Sequence, residues 1–264
     1  MKRYHINPAF STHAGLHNFL EALPAVFADE GTILWNKRNK IKAYTIPPED
    51  DADAQTRIVV KRFRHLNFIQ QIIYTFRRHK ALRAFLNGME LCNRGIDTPE
   101  PIACVEVKKG FWLKDSFYIC GETNLSSIES QTDRPDWNRD LASAFAQYAA
   151  TLHGKGVLHN DLNDTNVLYR LSHDGSYHFS VIDINRMKFF PSGSSIPLKE
   201  CIENLTRFTG RLDLFEYVIR QYAKARHLEE GEFTLRAIAQ KEHHDRCWRR
   251  RKRLLHPLRY LKKK

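Results

Sequence analysis

His159, Asp161, Leu162 and Asn166 stand in the pattern His-x-Asp-Leu-x-x-x-Asn, and 22 positions after Asp161 comes Asp183, preceded by Val181-Ile182. A carboxylate and a carboxamide five residues apart, followed by a second carboxylate behind an apolar pair, are the parts that phosphoryl transfer calls for. That chemistry asks little covalent work of protein groups: the acceptor hydroxyl must be placed in line and the phosphate charge neutralised. Asp161 suits the first task, as the catalytic group that accepts the acceptor proton or holds its hydroxyl. Asn166 and Asp183 suit the second, as amide and carboxylate oxygens for a magnesium ion (Mg2+) on ATP. Asp and Asn also cap turns on their own account, but the joint spacing outweighs that plainer reading.

These groups need elements to hold them. Thr32–Trp35 and Ile41–Ile46 read as strands around the turn Asn36-Lys37-Arg38-Asn39-Lys40, and Arg57–Phe63 as a further strand in which Val59, Lys61 and Phe63 share a face turned to the interior. Lys61 is thus a cation available to the α- and β-phosphates. Apolar positions Ala81, Leu82, Phe85, Met89 and Cys92 predict a helix over 78–94, ended by Gly95. Glu90 on that helix is the candidate partner for Lys61, with a solvent-facing glutamate as the alternative. Strands follow at 102–108 and 117–120, then a connector at Gly121-Glu122-Thr123-Asn124. A second helix is predicted over 140–153, with His153 as a satisfied buried histidine and His159 as a brace for its loop. Val167–Tyr169 and Phe179–Ile182 flank the turn His173-Asp174-Gly175-Ser176, a hairpin expected to bring Asn166 and Asp183 near one another. Helices at about 198–208 and 212–227 and a basic C-terminal helix complete the pattern.

A chain of 264 residues can bury a sizeable core as one domain or two lobes. Its formal net charge is +12, yet residues 246–264 carry ten Lys or Arg and no acid, so the body is near +2 and the basicity belongs to the tail. Five cysteines, odd in number and without a C-x-x-C pair, speak against a disulfide framework or a zinc site. No run of 18 apolar residues occurs. The expectation is a cytoplasmic protein, peripheral on the inner face of a membrane.

Lys61, the run His159-Asn160-Asp161-Leu162-Asn163-Asp164-Thr165-Asn166, the run Val181-Ile182-Asp183-Ile184-Asn185-Arg186, and Arg94-Gly95-Ile96-Asp97-Thr98-Pro99-Glu100-Pro101 together resemble the lipopolysaccharide core kinase family over roughly residues 30–210. The resemblance implies an α+β, bilobal protein-kinase-like fold: a β-rich N-lobe over 1–121, a compact helical C-lobe over 122–245, and a basic amphipathic tail over 246–264. It implies ATP in the cleft between lobes, its adenine held by backbone groups around Glu122. The implied acceptor is a Kdo or heptose hydroxyl of the lipopolysaccharide inner core, at the inner membrane of a Gram-negative bacterium.

Departures from protein kinases shape the expectation further. Asn160 stands where they carry Arg, Ile184-Asn185 where they carry Phe-Gly, and no Gly-x-Gly-x-x-Gly covers the phosphates; the first hairpin turn offers Lys37, Arg38 and Lys40 to them instead, unless it is simply a solvated basic turn. Only 81 residues follow Asp183, too few for a large lobe that docks protein substrates, which favours a small or glycolipid acceptor. In the tail, cations interleaved with Trp248, Leu254 and Tyr260 suit an anionic inner-membrane surface. No recognised nucleic-acid module accompanies them, which sets nucleic acid aside. Two other readings stay open: a soluble small-molecule phosphotransferase of the aminoglycoside or choline kinase type, and a non-catalytic kinase-like scaffold at a membrane.

Overall fold

The computed structural model describes residues 1–37, 39–47, 55–63, 73 and 77–255. The chain divides into two compact units, Met1–Leu125 with Ser180–Arg186, and Ser126–Phe179 with Met187–Lys264.

In the first unit, β1 (Lys2–Ile6) leads into two short helices, α1 (Ala14–Ala22) and α2 (Ala25–Asp29). Then come β2 (Thr32–Asn36), β3 (Lys40–Ile46), β4 (Thr56–Arg62), helix α3 (Lys80–Asn93), β5 (Pro101–Lys109) and β6 (Trp112–Gly121). The strands form one antiparallel sheet in the order β1-β5-β6-β4-β3-β2. Leu16, Leu20 and Leu23 from the first helical turns and Phe27 from α2 bury against Ile58, Val60, Ile102, Val105, Phe117 and Ile119 of the sheet. Each such side chain withdrawn from water contributes about 1.5–3 kcal/mol.

The sequence reading expected one packed helix against this sheet, and the structure adds α1, α2 and strand β1. The face of β4 also differs from expectation. Ile58 and Val60 are its fully buried residues, whereas Val59 and Lys61 lie half-buried on the opposite side and Phe63, just past the strand, is buried. A lysine gains from that arrangement, because its stem is covered while its ammonium can meet a counter-charge.

Helix α3 ends as predicted, with Gly95 at φ 61° and the Ile96 amide donating back to the Leu91 carbonyl at 2.9 Å. Gly88 sits inside α3, where a glycine costs about 1 kcal/mol relative to alanine. Its reason is contact: a Cβ there would stand 2.9 Å from Pro101 Cβ and 3.3 Å from Ile184 Cδ1.

The second unit opens with β7 (Ser126–Ser127), α4 (Glu129–Thr132), α5 (Arg139–Gly154) and β8 (Val157–Leu158). A hairpin of β9 (Val167–Leu171) and β10 (Tyr177–Val181) follows, then β11 (Lys188–Phe189), α6 (Leu198–Leu205), α7 (Leu212–Ala225) and α8 (Glu230–Leu255). The hairpin turn is closed by the Ser172 amide on the Ser176 carbonyl at 2.8 Å. Asn138 caps α5 through the Leu141 amide at 2.9 Å. The helical core stacks Phe145 on Phe208 with centroids 4.0 Å apart, and Tyr222 on Phe233 at 5.6 Å. Helix α8 runs unbroken across Asp245, so residues 246–255 continue an element whose first half is anchored by buried Phe233, Ala237 and Lys241. Among the described residues no helix is long and apolar enough to cross a membrane.

Candidate functional site

The loop after β8 is braced from within. Leu162 is fully buried and pins it, while the Asp161 carbonyl accepts both the Asn163 amide and the Asn166 side-chain Nδ2, each at 2.9 Å. Asn163 Oδ1 in turn accepts the Asn166 amide at 3.0 Å and the Thr165 hydroxyl at 2.6 Å, capping the 3-10 turn Asp164–Asn166. Because Asn166 Nδ2 is a donor to a carbonyl, the orientation of its amide is settled, and Oδ1 is the end with lone pairs for a cation. The Asp161 side chain is 23% exposed, and its Oδ1 lies 3.8 Å from a guanidinium nitrogen of Arg207.

A strut supports this loop from the helices. Asn160, at φ 59°, donates its amide to Asn204 Oδ1 at 2.8 Å; Asn204 Nδ2 donates to His153 Nε2 at 3.0 Å; and His153 Nδ1 meets the Tyr222 hydroxyl at 2.7 Å. With Nε2 an acceptor, His153 is the neutral Nδ1–H tautomer, and burial pushes its pKa down from 6.5 to about 3. It is the satisfied core histidine the sequence suggested. His159 is also fully buried. Burial, followed by the nearby Glu129 charge, raises the Asp164 carboxyl above its ordinary range.

In the first unit, Lys61 Nζ donates to Asp183 Oδ1 at 2.5 Å, and Asn185 Nδ2 donates to the same oxygen at 2.9 Å. Asp183 is left-handed, φ 56°, a conformation sparsely used outside glycine and asparagine and frequent where strain serves function. Three contacts pin its segment: the Val181 amide to the Asp97 carbonyl at 3.2 Å, the Thr98 hydroxyl to the Val181 carbonyl at 2.7 Å, and Asn87 Nδ2 to the Ile184 carbonyl at 2.7 Å. The Gly-Ile-Asp-Thr-Pro stretch thus has a physical task, which is to hold the strand end that carries Asp183.

Two expectations change. Glu90 bonds Arg94, Oε1 to Nε at 2.7 Å, and the carboxylate on Lys61 is that of Asp183. Residues four apart on a helix face meet each other before either reaches across to a strand. At Glu122, the amide donates to the Arg57 carbonyl at 3.0 Å and the side chain pairs with the same arginine, so this amide is engaged within the sheet. Arg38 lies outside the described residues; Lys37 beside it sits over the Trp35 ring at 4.6 Å. Arg207, Asn204 and Asn87 were not anticipated. Asn87 and Asn204 lie within helices and Arg207 in the connection after α6, none of them at a motif spacing, and only the fold brings them to their partners.

Within its own unit each of Asn166 and Asp183 offers oxygen, a carboxamide oxygen in one case and a carboxylate in the other, the donor type that suits a hard ion such as magnesium. Against known proteins, the profile of the lipopolysaccharide kinase (Kdo/WaaP) family matches residues 51–190. A 3-deoxy-D-manno-octulosonic acid kinase of Vibrio vulnificus (strain YJ016) is 26% identical over 137 residues, covering 51% of this chain and 56% of the relative. The chain therefore spans little more than half the length of that curated relative. Among solved structures, WaaP in complex with acyl carrier protein aligns over 91% of this chain and 98% of its own at a TM-score of 0.57 and 17% identity. At that identity the likeness speaks for the fold, which is protein-kinase-like.

Proposed function

The chain belongs to the lipopolysaccharide kinase (Kdo/WaaP) family, and from that premise we propose that it transfers the γ-phosphate of ATP to a sugar hydroxyl of the lipopolysaccharide inner core. The observation that carries this reading is the Asp161–Asn166 loop, whose internal bonds present one partly exposed carboxylate and one oriented carboxamide oxygen. Asp161 accepts the hydrogen bond of the acceptor hydroxyl and aims its oxygen at the γ-phosphorus; the proton moves to that carboxylate as the new O–P bond forms and the bond from the γ-phosphorus to the β–γ bridging oxygen breaks, ADP leaving with the electron pair. Lys61 places its ammonium on the nucleotide phosphates, exchanging its bond to Asp183 for one to phosphate oxygen. By their motif positions Asn166 and Asp183 would each offer an oxygen to magnesium, which neutralises phosphate charge when bound. The acceptor is of the Kdo type, in line with the name of the Vibrio relative. Its lipid-borne form fits a protein held at the inner face of the inner membrane by a basic C-terminal segment.

The test is transfer of labelled phosphate from ATP to purified inner-core precursors. Asp161→Asn should reduce turnover about 10²–10⁴-fold with nucleotide affinity retained, the range for a positioned acid–base group. Asp183→Asn should instead weaken magnesium-dependent nucleotide binding. Wild-type turnover in the Asp161 variant would remove Asp161 from the role given to it.

A further inference from the structure

Arg207 lies 46 positions beyond Asp161, in the connection between α6 and α7, yet the second unit sets its guanidinium beside that carboxylate. Its backbone is locked on both sides. The Thr206 amide closes α6 on the Ile202 carbonyl at 2.9 Å, and buried Phe208, stacked on Phe145, accepts the Asp164 amide on its carbonyl at 3.2 Å. The loop that carries Asp161 and the turn that carries Arg207 are thus tied together as one rigid piece.

The side chain is less tied than its backbone. At 3.8 Å the contact with Asp161 is longer than a hydrogen bond, and the Arg207 side chain is 42% exposed. A pair of that length and exposure adds little to stability, at most about 1 kcal/mol. What it does provide is a planar fork of N–H donors facing solvent next to the group that receives the acceptor hydroxyl, the geometry that recognises a carboxylate bidentately. A neutral sugar would give such a fork nothing to grip. An acidic sugar would otherwise bring its carboxylate toward that of Asp161 and be repelled.

We infer that Arg207 is the specificity-determining residue for an acidic acceptor sugar, binding its carboxylate while Asp161 takes a hydroxyl a few bonds away. The inference rests on the acceptor reading above and deepens it: Arg207 is what makes the site one for a sugar acid. No covalent step is added; the carboxylate is held and not changed.

The experiment measures equilibrium binding of free 3-deoxy-octulosonic acid, and of its analogue with the carboxylate reduced to an alcohol, to the full wild-type chain and to Arg207→Gln and Arg207→Lys. The exposed position of Arg207 leaves the fold to its neighbours, and thermal melts of both variants check that. Wild type should bind the acid about 10–100-fold more tightly than the alcohol, the range for charge-assisted hydrogen bonds. Arg207→Gln should erase the difference, and Arg207→Lys should restore part of it through charge without the fork. Turnover with both sugars, run in parallel, should show the loss in KM for the acid and not in kcat. Equal binding of acid and alcohol by wild type, or undiminished discrimination by Arg207→Gln, overturns the inference. So does an equal fall in kcat on both sugars, which would put the guanidinium on the transferring phosphate. Failure of the kinase reading shows separately, as carboxylate-dependent binding with no phosphate transferred to either sugar.

Discussion

Asn160 and Asp183 both sit near φ +60°, and the two residue types that tolerate this conformation best after glycine occupy them. Asp183→Asn therefore changes charge and leaves the backbone at ease, whereas a β-branched residue there would strain the segment and confuse loss of metal binding with loss of fold. His153 allows a different kind of test. Its folded pKa is depressed to about 3 from 6.5 by burial, so between those values the unfolded chain binds a proton that the folded chain refuses, and stability falls as pH drops through that window. Glu106, hydrogen-bonded to His79 and lowered to about 2 from 4.5, acts with the same sign, but only below pH 4.5. From pH 6.5 down to 4.5 His153 acts without Glu106, contributing a slope of about 1.4 kcal/mol per pH unit. Urea unfolding at pH 7 and pH 5 should show this loss in wild type and a smaller one in His153→Gln, whose amide keeps hydrogen-bonding capacity without a titration. An equal loss in both proteins would mean that other groups dominate acid sensitivity.

At the scale of elements, α3 and the Asp97-Thr98 stretch form a cradle for the segment from Val181 to Ile184. Gly88 is its tightest point. Gly88→Ala should gain helix propensity of about 1 kcal/mol and lose more, because a Cβ 2.9 Å from Pro101 forces a shift in a close-packed region. The expected net is a destabilisation of about 1–2 kcal/mol, read by denaturant midpoint, with weaker magnesium-nucleotide binding as the displaced segment moves Asp183. A variant as stable as wild type would show that the cradle yields freely. Legibility follows the same physics. The hairpin of β2 and β3, helix α3, helix α5 and the hairpin of β9 and β10 were readable because periodicity and turn residues are local, and the spacing that singles out Asp161 and Asn166 as candidates is local too. The first 30 residues were not, since α1 and α2 are 9 and 5 residues long and α1 is capped by His13, an unusual N-cap. The partner of Lys61 and the position of Arg207 were not readable either. Each depends on residues 122 and 46 positions apart, respectively, meeting through the fold.

Over the whole molecule the net charge of +12 is concentrated in the last 19 residues, and the described part of that stretch shows how the charge is displayed. Arg246, Arg249, Arg250, Arg251, Lys252 and Arg253 are exposed on the end of α8, and Lys252 rests over the exposed Trp248 ring at 4.3 Å. At 100° per residue, five consecutive cations from 249 to 253 circle the helix rather than lining one side of it. Over these residues the expected amphipathic stripe gives way to a basic cylinder, so the proposed attraction to a membrane would be chiefly electrostatic here. Each cation near an anionic leaflet contributes about 1 kcal/mol, and the effect decays within a Debye length, about 8 Å at physiological salt. The packed half of α8 ends near Lys241, whose ammonium pairs with Asp245 at 3.0 Å. A chain stopped at Asp245 therefore keeps Phe233, Ala237 and that ion pair, and should retain its fold and its turnover on a water-soluble sugar. Co-sedimentation with vesicles containing anionic lipid should pellet the full chain at low salt, release it at about 0.5 M salt, and leave the shortened chain in the supernatant. Neutral vesicles should pellet neither. Equal pelleting of the two chains would move the membrane contact elsewhere on the molecule, and no pelleting of the full chain would favour a soluble phosphotransferase acting on free sugars.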